Sequence, residues 1–457
     1  MIVSFSVSNF RSFLSEETIS LVASNRLNGT HDDHSLPIPG SKERVLRTAV
    51  IYGANGAGKS NLFKAISYVS SIALKSREKS SGTGRQAFCF AAVVAEPSSF
   101  DLQMIANGNL YRFGFKVDDD RIIEEWLVRV EGGREKVVYE RTTDESGKVS
   151  IDSAGLKDEG EKLRALATVG GPQNQSFLAT VNVTLDTADI GEELNGILDW
   201  FRFGLDLIKP EASYRALGNM LAENPKFSEF AGEFLKSAST GIDHLNVIKN
   251  EITEEELKSL VPNDVLSRAL KNLPDRKDGR LFLPIGKDSE LMIERKGERH
   301  FYKLSIHSVH KDERGTRIPL ELAEESDGTR RLLNLMPALH RLRTNNIVYF
   351  IDEIDRSLHP ILVLGFIEFF LKSCGSGHRQ IIVTTHESNL LDLELLRRDE
   401  IWFAEKDERG ATRLYSLSDF KVRKDLEIRK HYLQGRFGAI PFLGNLENLI
   451  AKQDCSE

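Results

Sequence analysis

The stretch that decides the fold is the octapeptide GANGAGKS. It consists of Gly53, Ala54, Asn55, Gly56, Ala57, Gly58, Lys59 and Ser60. It matches the pattern GxxxxGK[ST] at every fixed position, and an apolar run at 45–52 precedes it. The pattern predicts a strand at 45–52, a tight glycine-rich loop, and a helix from Lys59 to about Leu74. A chance glycine-rich turn is the alternative, but the full match between a strand and a helix argues against it.

Such a loop has the chemistry of a phosphate site. Glycines allow successive backbone N–H groups to curl around phosphate oxygens, and the helix that follows presents its positive end to the same anion. We expect Lys59 to reach the β- and γ-phosphates of ATP and the Ser60 hydroxyl to bind Mg²⁺. Asn61, the next residue, is included in the predicted ATP-binding set.

A second apolar run, at 347–351, ends in the acidic pair Asp352 and Glu353. A buried strand there would leave both carboxylates at the carboxyl edge of a parallel sheet, where ligands of such sheets bind. We predict that Asp352 holds Mg²⁺ through water and that Glu353 acts as general base toward the attacking water. An acidic pair after a strand is common, so this prediction depends on the upstream loop.

Two further segments complete the predicted site. Ser326 and Gly328 open a helix predicted at 328–343, whose N-terminus would be a second anion-binding end; an ordinary helix cap is the alternative. His386 follows a buried strand predicted at 380–384, and we expect it to sense the γ-phosphate. A histidine after a strand is more often structural, and the order of the motifs favours the sensor.

Apolar strands that alternate with helices predict an α/β fold with a parallel sheet covered on both faces. We expect one discontinuous ATPase domain formed by a β-rich N-terminal lobe at 1–145 and a C-terminal lobe at 301–457. The segment 146–300 between them is predicted to be a mainly helical insertion or lid, with one of its helices at 254–273. It lacks sustained heptads, so a long coiled-coil arm is not expected. A strand is also expected near 88–94 in the N-terminal lobe.

The composition limits the compartment and the partners. The 457 residues carry a net charge of −7 and a pI of about 6.0, which does not favour a general coat for nucleic acids. Cys89, Cys374 and Cys455 form no CxxC pair, which fits a reducing cytoplasm. No signal peptide or membrane span is expected, so we predict a cytoplasmic protein. The basic run at 421–436 is interpreted as a solvated helix face rather than a nucleic-acid contact.

The order of these motifs resembles the ABC-type ATPase heads of the SMC, RecF and OLD class. More closely, it resembles stand-alone AAA-type ATPases of the RloA and AbiL type, found in bacterial anti-phage systems. The segments that carry the resemblance are FSVSNFRSF at 5–13, the octapeptide at 53–60, ESDGT at 325–329, IVYFIDEID at 347–355, SLHP at 357–360, TTHES at 384–388 and YLQGRFGAIP at 432–441.

The resemblance implies a homodimer in which two heads enclose two ATP molecules. Ser326, Gly328 and Thr329 would contact the nucleotide of the other head, the segment 357–359 would form the D-loop, and His386 would act on its own nucleotide. The segment at 325–329 departs from transporter heads, because it lacks their double glycine and carries Asp327 instead. Gln86 is the candidate for a Q-loop. Arg11 is either near the nucleotide or solvated.

Three functions compete at this stage. The first is an ATP-switched sensor of prokaryotic anti-phage defence that controls a separate effector, such as a nuclease. The second is a DNA-binding repair ATPase of the RecF or SMC type, which predicts heptads or a basic face that the sequence lacks. The third is an OLD-type nuclease, for which too few residues and no DxD motif follow His386. A transporter ATPase is disfavoured by the NFRSF start and the altered signature. Nucleic-acid binding is left open.

Overall fold

The strand that leads into the octapeptide lies in the middle of a six-stranded sheet. The structure is a computed structural model. It describes residues 1–90, 96–156, 160–211, 214, 216–271, 279–285, 289–296, 298–343, 345–375, 377–421 and 427–440.

The strands of the described residues follow in chain order. They are β1 (Ile2–Ser8), β2 (Glu17–Ser20), β3 (Ser35–Pro37), β4 (Arg44–Leu46), β5 (Thr48–Tyr52), β6 (Ser98–Ala106), β7 (Asn109–Val117), β8 (Ile122–Glu131), β9 (Arg134–Thr143), β10 (Val149–Asp152), β11 (Leu205–Ile208), β12 (Ile242–Glu251), β13 (Gly279–Ile285), β14 (Ser289–Lys296), β15 (Glu298–Lys311), β16 (Arg317–Glu321), β17 (Val348–Ile351), β18 (Gln380–Thr384), β19 (Ile401–Lys406) and β20 (Thr412–Ser416).

The helices of the same residues are α1 (Lys59–Leu74), α2 (Glu161–Val169), α3 (Phe177–Thr184), α4 (Glu192–Asp199), α5 (Leu217–Glu223), α6 (Pro225–Ser237), α7 (Glu254–Leu260), α8 (Asn263–Lys271), α9 (Asp327–Leu342), α10 (Pro360–Ser373) and α11 (Ile428–Leu433). A π-helical turn at Trp200–Gly204 continues α4 into β11.

The six-stranded sheet has the order β11-β17-β18-β5-β19-β20, and all neighbours run parallel except β19 and β20. Every residue of β5, β17 and β18 is buried, as expected for strands covered on both faces. Because β5, β17 and β18 are parallel, the segments that follow them emerge at the same edge of the sheet. This edge receives the phosphate-type loop, the acidic pair and the histidine of the sequence prediction.

A seven-stranded antiparallel sheet, ordered β10-β9-β8-β7-β6-β1-β2, forms a second layer of the same compact unit. Helix α1 packs against both layers. Phe63 of α1 contacts Phe350 of β17 at 5.4 Å between ring centroids, and Tyr68 contacts Phe100 of β6 at 5.2 Å. The prediction of a β-rich lobe around one buried helix is confirmed.

The chain divides into two compact units. The first comprises Met1–Ile208, Asn346–Ile354 and Gly375–Glu457, and the second comprises Lys209–Asn345 and Asp355–Cys374. The second unit contains the antiparallel sheet β12-β15-β14-β13, with β16 paired to β15. Apolar residues of α5, α6 and α9 pack together with residues of β12 and β15. These units differ from the segments 1–145, 146–300 and 301–457, and that domain division stays a prediction.

Several elements differ from the sequence prediction. A single helix expected at 254–273 is two helices, because Pro262 lacks an N–H donor and holds Val261 in an extended conformation at φ −131° and ψ 131°. Strands β12 and β13 within the insertion were not predicted. Among the described residues between 146 and 300, helices still outnumber strands, so this part of the insertion is α/β with a helical majority.

Some predictions fall outside the described residues. The strand expected at 88–94 falls partly on 91–95, the basic run at 421–436 includes 422–426, and Cys455 and the end of the 432–441 motif lie within 441–457. In the described part of the chain, no helix combines the length and apolarity that crossing a bilayer requires.

Candidate functional site

The glycine-rich loop leaves β5 and enters α1 with two glycines in places that exclude a side chain. A Cβ on Gly53 would lie 2.5 Å from the carbonyl oxygen of Ala404 on the adjacent β19. Gly58 has φ +109°, and its Cβ would lie 2.0 Å from Oγ1 of Thr412. Asn55 and Gly56, at the tip, are exposed. The loop therefore folds tightly against β19 and β20 while its tip stays open to solvent.

Lys59 is only 5% exposed and lies inside the curl of this loop. Its Nζ donates to the carbonyl oxygens of Gly53 at 2.7 Å and Ala54 at 3.2 Å. Nζ also lies 3.0 Å from Nε2 of His386. Since an ammonium group only donates, this contact requires that Nε2 of His386 carry no proton. The structure thus brings together two predicted site residues that are 327 positions apart.

A hydroxyl network that the sequence analysis missed supports the start of α1. Oγ1 of Thr412 donates to the carbonyl oxygen of Ala57 at 2.8 Å and lies 2.7 Å from Oγ of Ser12. Ser12 Oγ in turn accepts from Nδ2 of Asn61 at 2.8 Å. Ser12 belongs to the NFRSF segment, so the network joins the N-terminal region, the loop and β20.

Arg11, next to Ser12, adopts a left-handed backbone with φ 53°. Its N–H donates to the carbonyl oxygen of Gln86 at 2.7 Å. Nε of Arg11 is buried and has no hydrogen-bond partner among the described residues, and burial lowers the pKa of the guanidinium. Arg11 and the Q-loop candidate Gln86 therefore contact each other through their backbones.

The acidic pair is held from the neighbouring strand. Asp352 is 4% exposed, and its Oδ1 accepts a hydrogen bond from Oγ1 of Thr384 at 2.6 Å. The same hydroxyl accepts from the N–H of Glu353 at 2.8 Å. One threonine of β18 thus orients both residues that follow β17, a role that the sequence analysis did not assign.

Glu353 adopts a left-handed backbone with φ 49°, which costs a residue with a Cβ about 1–2 kcal/mol. Its side chain is half-buried. Backbone strain of this kind concentrates at functional sites, where surrounding bonds maintain it. Here the N–H of the next residue, Ile354, donates to the carbonyl oxygen of Thr384 at 3.1 Å.

The signature-like segment lies in the second unit. Ser326 caps α9: its Oγ accepts from the N–H of Thr329 at 3.1 Å and lies 3.0 Å from the Thr329 hydroxyl. A Cβ on Gly328 would lie 2.7 Å from the carbonyl oxygen of Ser357, which has φ +61°. The signature-like segment and the predicted D-loop at 357–359 are therefore in contact within one unit.

The residue before this cap is also fixed. Oε1 of Glu325 accepts from Oγ of Ser308 at 2.5 Å and lies 2.6 Å from Nε2 of His310. Both donors belong to β15. Sequence analysis missed this contact, since nothing in the pattern of β15 distinguishes His310 from the nearby His307.

No curated protein shows significant sequence similarity to this chain. Among solved structures, the SMC head bound to the C-winged helix domain of ScpA matches with a TM-score of 0.38 and 15% identity, over 91% of this chain and 97% of that chain. The SMC head domain from Thermotoga maritima matches with a TM-score of 0.37 and 13% identity, over 91% and 98%.

The family comparison covers the octapeptide, the acidic pair, His386 and the signature-like segment, and it leaves out Arg11, Ser12 and Thr412. The family model described as "AAA domain, putative AbiEii toxin, Type IV TA system" matches residues 49–392, from the middle of β5 to just beyond His386. Because this match spans more than half of the chain, the protein belongs to this family of AAA domains.

Proposed function

We propose that this protein is a molecular switch that binds ATP and hydrolyses it with Mg²⁺. The observation that carries the proposal is the arrangement within the first unit. The loop after β5, the acidic pair after β17 and the histidine after β18 meet at one edge of the parallel sheet, and Nζ of Lys59 lies 3.0 Å from Nε2 of His386.

The start of α1 supports phosphate binding. The helix has no side-chain cap and no acidic residue in its first turn, so no carboxylate of that turn competes with an external anion for its positive end. The backbone of residues 53–60 would surround the phosphates, with Lys59 on the β- and γ-phosphates and Asn61 beside them. Arg11, whose Nε lacks a partner among the described residues, is a further candidate for contact with the nucleotide.

Ser60 and Asp352 fit a magnesium ion, because a hydroxyl and a carboxylate are the hard oxygen ligands that Mg²⁺ prefers. Thr384 fixes one oxygen of Asp352, so the orientation of the carboxylate is set before an ion binds. When bound with ATP, Mg²⁺ supplies positive charge that offsets the charge on the phosphates.

Glu353 is the proposed general base. The strained backbone and the bond from its N–H to Thr384 fix the direction in which its carboxylate leaves the sheet. A carboxylate held in this way orients a water molecule and accepts its proton. His386 is proposed to exchange its contact with Lys59 for a contact with the γ-phosphate, which would make its position depend on whether ATP is present.

We further propose that ATP joins two copies of the chain. Ser326, Gly328 and Thr329 of one copy would contact the nucleotide held by the other. Since ATP would then bind the pair better than the separate chains, ATP would stabilise the dimer and hydrolysis would release it. The family description, with its putative AbiEii toxin and type IV toxin–antitoxin system, supports a regulatory role in prokaryotic defence. There the switch would control a separate effector such as a nuclease.

Sedimentation and ATPase assays of the wild type, Glu353→Gln and Glu394→Gln test this proposal. We expect Glu353→Gln to bind ATP, to lose about 10²–10⁴-fold in turnover, and to accumulate as an ATP-dependent dimer. Glu394 is exposed, so Glu394→Gln should behave as wild type. Lys59→Ala should weaken ATP binding about 10–100-fold, because a charge-assisted hydrogen bond is lost.

Normal turnover of Glu353→Gln would disprove the assignment of the base. If the oligomer size of the wild type and of Glu353→Gln does not change when ATP is added, the proposed switch by dimerisation is disproved. Stimulation of turnover by duplex DNA ends would favour a DNA-repair ATPase over a regulator of a toxic effector.

A further inference from the structure

The carboxylate of Glu325 is buried beside the signature-like segment and is held by hydrogen bonds from one strand. Its side chain is 9% exposed, and the donor Ser308 is completely buried. The two hydrogen bonds, at 2.5 Å from Ser308 Oγ and 2.6 Å from His310 Nε2, come from alternate residues of β15. A buried carboxylate needs such donors, because the loss of its water is otherwise unfavourable.

Strand β15 is a rigid support for these two hydrogen bonds. It has 14 residues and pairs with β12, β14 and β16, so it lies inside the sheet of the second unit. The chain leaves β15, returns along β16, and makes a short turn at Leu322–Glu324. Glu325 then lies back against β15, and the chain enters α9. The hydrogen bonds of Glu325 therefore connect the start of α9 to β15, although β16 and a short turn lie between them along the chain.

A movement of Glu325 would move the proposed signature. One planar peptide joins Glu325 to Ser326, whose hydroxyl holds the N–H of Thr329 at 3.1 Å. Gly328 lies against the carbonyl oxygen of Ser357 so closely that no Cβ fits. The capping of α9 needs only Ser326, so the two extra bonds to Glu325 do not serve the cap itself.

We propose that His310 and Ser308 are positioning residues for the signature-like segment: through Glu325 they set where Ser326, Gly328 and Thr329 meet the nucleotide of the other copy. This inference rests on the proposed ATP-dependent pair. It also makes the sheet of the second unit the part of the chain whose displacement would change ATP hydrolysis at the neighbouring copy.

Mixed dimers test the inference, because they contain a single competent nucleotide site. The mixture combines a Lys59→Ala chain with a chain that keeps the wild-type loop but carries Ser326→Asp, so neither chain forms an active pair with itself. In the mixed pair, ATP is hydrolysed by the wild-type-loop chain against the signature of the Lys59→Ala chain. His310→Ala in the Lys59→Ala chain should lower turnover about tenfold or more, since a charge-assisted bond is lost at the signature in use. The same change in the wild-type-loop chain should leave turnover within about twofold, because the signature there faces the disabled site.

Two variants control for structure. His310→Gln retains an N–H donor and should restore most of the turnover. His307→Ala removes a half-buried histidine from the opposite face of β15 and should have no effect. If His310→Ala does not fold, Ser308→Ala carries the same test, since it removes the other donor and leaves the histidine in place.

Each outcome decides a different statement. If the parent mixture shows no turnover beyond that of the separate chains, the proposed pair is wrong. If the parent mixture is active and His310→Ala lowers turnover equally in either chain, or in neither, the pair stands and the positioning role is wrong. ATP–Mg²⁺ binding to each single chain should stay within about twofold of the parent, and a larger loss would also overturn the positioning role.

Discussion

The first turns of α1 and α9 differ in how they are capped, although both are predicted to meet a phosphate. Helix α1 begins after Gly58, with no side-chain cap and no acidic residue in its first turn. Helix α9 begins after Ser326, whose hydroxyl already accepts from Thr329, and it carries Asp327 in its first turn. The start of α1 thus presents its positive end without a capping side chain, whereas at the start of α9 the N–H of Thr329 already has a partner in Ser326.

We expect this difference to separate the binding of ATP by one chain from the pairing of two chains. An anion at the start of α1 need not displace a capping side chain, so we expect one chain to bind ATP alone. At α9 the Ser326 hydroxyl is already engaged, and the carboxylates of Glu325 and Asp327 lie beside it, the latter paired with Arg330. We therefore expect the start of α9 to meet a phosphate only when the other chain of the proposed pair already holds it. The two units do share one device, since each holds a carboxylate through a hydroxyl of a neighbouring strand: Thr384 binds Asp352, and Ser308 binds Glu325.

The largest effect should come from a methyl group at the start of each helix. Gly58→Ala places a Cβ 2.0 Å from Thr412 Oγ1 at φ +109°, and we expect it to cost about 3 kcal/mol or more in the free energy of unfolding and to abolish ATP binding. Gly328→Ala meets the carbonyl oxygen of Ser357 at 2.7 Å and should cost about 1–3 kcal/mol without changing ATP binding. Urea unfolding and ATP titration of each variant measure both. Equal loss of ATP binding would contradict the comparison.

Removal of the Thr384 hydroxyl should have the next largest effect. Thr384→Val leaves a buried carboxylate with one donor fewer, at a cost of about 1–3 kcal/mol, and we expect turnover to fall because Asp352 and Glu353 lose their common support. Thr384→Ser keeps the hydroxyl and should retain turnover. Steady-state hydrolysis and urea unfolding check the pair, and normal turnover in Thr384→Val would show that the strand pairing alone orients the carboxylates.

The cap of α9 allows stability and assembly to be separated. Ser326→Ala should cost about 1 kcal/mol, the usual value of a lost N-cap. Ser326→Asp caps as well as serine does and should keep the stability of the wild type, but its charge should prevent ATP-dependent dimerisation. Thermal unfolding measures the stability of each Ser326 variant. Sedimentation of the same variants combined with Glu353→Gln measures ATP-dependent dimerisation. A stable Ser326→Asp chain that dimerises normally would remove Ser326 from the interface.

The smallest effect concerns pH. Burial, with a smaller contribution from Arg343, lowers the pKa of His340 in the last turn of α9. A histidine whose pKa is lowered by folding adds stability above its unfolded pKa of about 6.5, and that stability is lost as the pH falls below it. Helix α1 contains no histidine. His340→Gln should therefore lose less stability than the wild type between pH 7.5 and pH 5.5 in urea unfolding. An identical loss would mean that His340 does not titrate in this range.

Short-range patterns in the sequence account for what was predicted well. Strand β18 has the predicted bounds, α9 begins within one residue of its predicted start, and the octapeptide connects a strand to a helix as its pattern requires. Each of these depends on residues that are neighbours along the chain. In the same way, Pro262 held the information that divides α7 from α8, although the apolar pattern at 254–273 concealed it.

The missed features depend on distant residues or on weak patterns. Strand β12, IDHLNVIKNE, has polar residues on both faces, so its alternation is weak. The grip of Thr384 on Asp352 follows from the adjacency of β17 and β18, which no local pattern specifies. The same is true of the hydrogen bond between Ser12 and Thr412, which are 400 positions apart.

The bond between Thr412 and the phosphate-type loop also bears on how the protein is made. The neighbours of β5 are β18 and β19, and the carbonyl of Ala57 is held by Thr412, so all three supports of the loop come from residues after 379. A ribosome therefore releases the octapeptide long before the parts that shape it. We expect nascent chains to be unable to hold ATP until most of the protein has been translated, which would keep unfinished copies from pairing with completed ones.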